Sequence, residues 1–123
     1  MYTAHTLDEE SRMMLMLRFM PKYSKAIAHH VTVKFGVPEG TPAPNYADVK
    51  LVGYIDSGDG LEALVVSVDG TWIRSDGNIY HITWSLDPDK YSPKDSNALL
   101  SSHLKKWTMV KPIELMTTPE VLR

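Results

Sequence analysis

The spacing of apolar and polar side chains changes several times along the chain, and each change predicts an element. Between residues 6 and 20, Leu7, Met14 and Leu17, with Met13 and Met20 beside them, recur at the three-and-four spacing of a helix that buries one stripe. These methionines read as core filling rather than a ligand surface. Thr6 followed by Glu9 forms a capping-box pattern with acids in the first turn, and Pro21 ends the helix. From Ala26 to Phe35 the composition turns β-branched, which predicts a strand closed by Gly36-Val37-Pro38. The stretch from Val37 to Asn45 carries three prolines and no period, so it reads as a surface connection able to overhang a site.

Further on, strands over Val49–Ile55 and Leu61–Val68 flank Asp56-Ser57-Gly58-Asp59-Gly60, a composition suited to a hairpin turn. Gly70 and Arg74-Ser75-Asp76-Gly77-Asn78 punctuate the next connection. A strand over Ile79–Leu86 ends at Asp87-Pro88-Asp89. Ser92 to Leu100 reads as a loop entering a short helix capped by Asp95 or Ser96. Trp107–Met116 supplies one more strand, and Thr117-Thr118-Pro119-Glu120 a final turn. The expected fold is a compact, pseudo-symmetric α+β domain over residues 1–123, with an antiparallel sheet and flanking helices.

One short pattern occurs twice: His30-Val31-Thr32-Val33 and, 51 residues later (30 to 81), His81-Ile82-Thr83-Trp84. Side chains alternate between the faces of a strand, so His30, Thr32 and Lys34 are expected on one face and Val31, Val33 and Phe35 on the other. The second copy sorts likewise, with His81, Thr83 and Ser85 opposite Ile82, Trp84 and Leu86. Each strand can bury one face and offer an imidazole and a hydroxyl on the other.

Composition narrows the chemistry. A chain of 123 residues is one domain by length. A net charge of −2 disfavours gripping long duplex nucleic acid through its phosphates, while leaving room for a small anion in a local basic pocket. The absence of cysteine removes disulfides, thiolate nucleophiles and cysteine zinc sites. No apolar run approaches the roughly 18 residues of a membrane helix. MYTAHTLDEE lacks the basic start, apolar core and cleavage site of a secretory signal, so the expected location is cytoplasmic.

Two histidines and two threonines on rigid strands suit phosphodiester cleavage. One neutral imidazole takes a proton from water or a ribose hydroxyl, and the other gives a proton to the leaving oxygen. Either histidine fits either role. The threonine hydroxyls can donate to the non-bridging phosphate oxygens, where charge is held in the transition state. No cofactor is needed, and no His-x-x-x-His or carboxylate–histidine spacing offers a zinc set.

The paired motifs resemble those of the 2H phosphoesterase superfamily. Tyr91-Ser92-Pro93-Lys94-Asp95-Ser96-Asn97-Ala98-Leu99-Leu100 is similar to the stretch after the second motif in RNA-repair-like members, including the tRNA-ligase phosphodiesterase type. The resemblance implies a two-lobed α+β fold with a concave sheet surface and metal-independent chemistry. It implies as substrates 2′,3′-cyclic phosphate RNA ends, 2′–5′ linkages or cyclic nucleotides; some phage relatives degrade cyclic oligonucleotide signals of bacterial immunity. The spacing between the motifs is shorter than in many relatives, which implies a trimmed lobe and an open pocket.

Around the four central residues, Lys34, Ser85, Lys94, Ser96 and Asn97 are candidates to contact phosphate or ribose. Tyr91 and Tyr46, in loops, are candidates to stack a base. Tyr80 and Trp84 are expected in the core, and Trp107 is weighed between core and base stacking. His29 reads as a structural residue on the apolar face or an edge, and His5 and His103 as surface residues. A rival reading is a non-catalytic module that sequesters a nucleotide or RNA end, although a pure binder has no evident need of both imidazoles. A third is an interaction protein with coincidental motifs.

Overall fold

The computed structural model describes residues 1–102 and 106–123; His103 lies outside the described residues. The chain runs β1 (Tyr2–Leu7), α1 (Glu9–Arg18), β2 (Lys25–Ala26), β3 (His30–Phe35), β4 (Val49–Asp56), β5 (Leu61–Val68), β6 (His81–Leu86), α2 (Asp95–Ser101), β7 (Thr108–Leu115) and β8 (Thr117–Leu122). The fold is mixed α+β, with two unequal antiparallel sheets ordered β3-β1-β8 and β2-β6-β5-β4-β7. Among the described residues no helix is long and apolar enough to cross a membrane.

The interior strands carry their own explanation. β5 is buried at every residue and β4 at alternate ones, as their aliphatic content requires. Leu64, Val66, Ile82 and Trp84 form one face of the larger sheet and share a core with Leu15 of α1, Val31 of β3 and Leu7 of β1. Ala63 and Val65 on the opposite face meet Leu100 of α2. Each helix thus covers a different face of the larger sheet. Gly53 allows this packing at the β4–β7 edge, because a Cβ there would overlap the Trp107 ring.

The two ends of the chain depart from the sequence expectation. Residues 2–7 form a strand, since β3 and β8 hydrogen-bond it from both sides, and pairing overrides the weak helical start. The helix consequently begins later, with Asp8 rather than Thr6 at its N-cap. Its buried residues are Ser11 and Leu15, while Met13, Leu17 and Met20 are exposed, Leu17 by 87%. His5, expected at the surface, is 2% exposed in the middle strand. Residues 117–122 are a strand, not a turn; Pro119 is tolerated because β8 is an edge.

The strand expected over residues 26–35 is split. Ile27 and Ala28 still donate to the Trp84 and Thr83 carbonyls of β6, and then Ala28, at φ 43°, turns the chain out of one sheet and into the other. A left-handed alanine costs about 1–2 kcal/mol. In return β3 lies against β6 where the sheets meet.

Candidate active site

That junction brings both copies of the repeated motif into one cleft. His30 and Thr32 from β3 and His81 and Thr83 from β6 line a cavity of about 300 Å³, the lower end of the range for small-ligand sites. Lys94 and Asn97, at the entry to α2, complete its polar wall. Ser96 stands behind, fully buried, with its hydroxyl 2.8 Å from Thr83 Oγ1. Thr83 Oγ1 also donates to the Pro93 carbonyl at 3.2 Å, which ties the α2 entry to the motif strand. Among the described residues the Thr32 hydroxyl has no protein partner, so it is free to donate into the cleft.

Lys34 and Ser85 do not share this face, and the cause is the same on both strands. The β3–β1 register pairs Ala4 with Thr32 and Thr3 with Lys34, so Val33 is an extra, bulged residue. Directly opposed residues share a face, which carries Lys34 away from Thr32 and brings Phe35 into the cleft. Lys34 instead lines a separate groove with the proline-rich loop, which therefore overhangs that groove and not the motif cleft. On β6, Ala63 pairs with Thr83 and Glu62 with Ser85, so Trp84 is the bulge. Ser85 turns to the core side, donating to Glu62 Oε1 at 2.6 Å and accepting from the Tyr23 amide at 3.1 Å. Tyr91 is elsewhere too: its hydroxyl donates to Asp59 Oδ1 at 2.7 Å, beside another groove. Tyr46 is exposed outside the cleft, whereas Trp84 is buried in the core and Tyr80 packs against it. Trp107 packs edge-on against Trp72.

Five lining residues lie outside the candidates read from the sequence: Arg74, Tyr2, Phe35, Ile27 and Pro93. Arg74 is 2% exposed and sits in a tight turn, its amide donating to the Asn78 carbonyl and its own carbonyl accepting from Gly77. Its Nε and Nη2 donate to the two Asp76 carboxylate oxygens at 2.9 Å, and Nη2 reaches Asn97 Oδ1 at 3.4 Å. The fork pulls the Asp76 carboxyl down to about 2. The guanidinium lies 5.5 Å from the Phe35 ring centre, and Tyr2 stacks at a tilt against both Phe35 and His30. An Arg just before Ser-Asp-Gly was the available clue; nothing local separates it from an ordinary turn residue.

Burial sets the electrostatics of both imidazoles. Desolvation, reinforced by His29 and His81, pushes His30 from 6.5 down to about 4. His81 is also lowered, chiefly by burial, with a further push from Arg74 and opposition from its bond to Ile79 and from Asp76. His81 Nδ1 lies 2.7 Å from the Ile79 carbonyl, which only accepts, so Nδ1 carries the hydrogen and the neutral ring keeps its lone pair on Nε2. His29, expected to be structural, is exposed with Nδ1 3.0 Å from Nδ1 of His30.

The chain matches no protein-family model, no curated protein and no solved structure.

Proposed function

We propose that this protein is a phosphodiesterase of the 2H phosphoesterase type, opening a cyclic phosphate or hydrolysing a nucleotide phosphodiester by two-histidine acid–base catalysis. The observation that carries the reading is that two copies of a His-apolar-Thr-apolar motif, one from each sheet, meet in one cleft beside Arg74 and Lys94. The lone pair on His81 Nε2 suits it to accept the proton of the attacking water or ribose hydroxyl. His30, across the cleft, donates to the leaving oxygen. Thr32 donates to one non-bridging oxygen and Thr83 to the other by turning its hydroxyl hydrogen from the Pro93 carbonyl to the phosphate, while the rings of Tyr2 and Phe35 offer an apolar wall to the nucleoside. A bound phosphate brings negative charge beside His81 and so favours the imidazolium formed there when it takes up a proton, which burial otherwise opposes.

The test is product formation from 2′,3′-cyclic nucleotides, 2′–5′ oligonucleotides and cyclic di- and trinucleotides, with EDTA present. Wild type should turn over at least one class, and His30→Ala and His81→Ala should each lose about 100- to 10,000-fold. Both variants keeping wild-type rates would overturn the mechanism. Activity abolished by EDTA and restored by zinc would point to a metal site, and tight nucleotide binding without turnover to a sequestering module.

A further inference from the structure

His30 and His81 differ in what holds the nitrogen that faces away from the cleft. For His81 it is a carbonyl, a fixed acceptor. For His30 it is a second imidazole: His29 and His30 meet Nδ1 to Nδ1 at 3.0 Å, their rings at 79°. At that distance the two nitrogens share one hydrogen, because two N–H groups would collide and two lone pairs would repel. His29 is exposed to solvent, while its carbonyl accepts from the Leu7 amide and fixes the backbone at the β1–β3 junction. The other titratable groups facing His30 are Tyr2 of β1 and His81 of β6, with Arg74 further along the same wall.

We propose that His29 is a positioning residue that holds His30 in its Nε2–H form and lends it a proton during turnover, so that the positive charge stays on the exposed ring. The inference rests on the phosphodiesterase reading. The step balances as follows. Water attacks phosphorus, forming the new P–O bond, and its proton passes to His81 Nε2. The bond to the leaving oxygen breaks with its electron pair on that oxygen, which takes the Nε2 proton of His30. The Nδ1 proton of protonated His29 moves to His30 Nδ1, leaving both rings neutral. After product release the proton on His81 returns through cleft water to His30 Nε2, and the Nδ1 proton goes back to His29. The desolvation that opposes a charged His30 is thereby avoided.

The experiment compares wild type, His29→Asn and His29→Ala on two substrates. In 2′,3′-cyclic AMP the leaving group is an alkoxide that needs an acid; in bis(p-nitrophenyl) phosphate it is a phenolate that does not. An asparagine amide replaces Nδ1 in the hydrogen bond yet passes no proton. Both variants should lose about 100-fold in kcat on the cyclic nucleotide with KM little changed, lose almost nothing on the phenolate ester, and regain rate on the first when imidazole is added to His29→Ala. Equal losses on both substrates, or none on either, would overturn the relay while leaving the phosphodiesterase reading intact. No wild-type turnover of either substrate, nor of 2′–5′ or cyclic oligonucleotides, would overturn both. Long-range ¹H–¹⁵N spectra decide the pairing without turnover: the expected wild-type His30 bears its hydrogen on Nε2, and an Nδ1–H form would contradict the proposal.

Discussion

β3 and β6 carry the same four-residue pattern into opposite surroundings. β6 lies inside the larger sheet, buried at all six residues, and Thr83 is bound from behind by Ser96 and the Pro93 carbonyl. β3 is an edge strand whose last residues are exposed, and Thr32 has no such support. The imidazoles follow suit, one locked by a carbonyl and the other facing a ring open to water. In the proposed mechanism, what stands behind each copy makes one histidine a fixed proton acceptor and the other an exchangeable donor.

The threonines break the comparison most sharply. Thr83→Val should lose about 100-fold in turnover and also about 1–3 kcal/mol of stability, because the buried Ser96 hydroxyl loses its partner. Thr32→Val should show a similar loss of turnover with an unchanged denaturation midpoint. Parallel thermal melts and rates separate the two, and equal stability losses would mean that the strands are supported alike.

A smaller effect is expected in acid. His5, His30 and His81 all sit below 6.5 when folded, so the unfolded chain binds protons that the native chain refuses. Stability should be full above pH 6.5 and decline as pH falls toward about 4. Melting temperatures across that window should show the decline flattened by His30→Asn, since burial drives His30 down to about 4 in the folded protein. Smallest of all, Lys34→Ala should leave turnover and stability nearly unchanged, because the Val33 bulge places Lys34 outside the cleft. A large loss in kcat/KM would mean that substrate reaches round the strand.

Much of the frame could be read in advance because it depends on local pattern. The aliphatic run Leu61–Val68 and its Gly-Asp turn mark β5 and the hairpin, and the repeated motif marks both strands of the cleft. What escaped depends on partners distant in sequence. Thr3, His5 and Thr6 look unlike a central strand until β3 and β8 flank them. Alternation assigned Lys34 and Ser85 to the motif face, and one bulged residue on each strand reversed both. Arg74 and His29 matter for what they meet in space, Phe35 and His30, and single residues in a turn or beside a strand announce no such contact.

The most direct measurement is the rate of opening of a 2′,3′-cyclic nucleotide, with chelator present, by wild type, His30→Ala, His81→Ala and the double variant. If the two imidazoles serve one step, each single variant loses about 100- to 10,000-fold and the double variant falls little further. Single variants that keep the wild-type rate would contradict a two-histidine cleft.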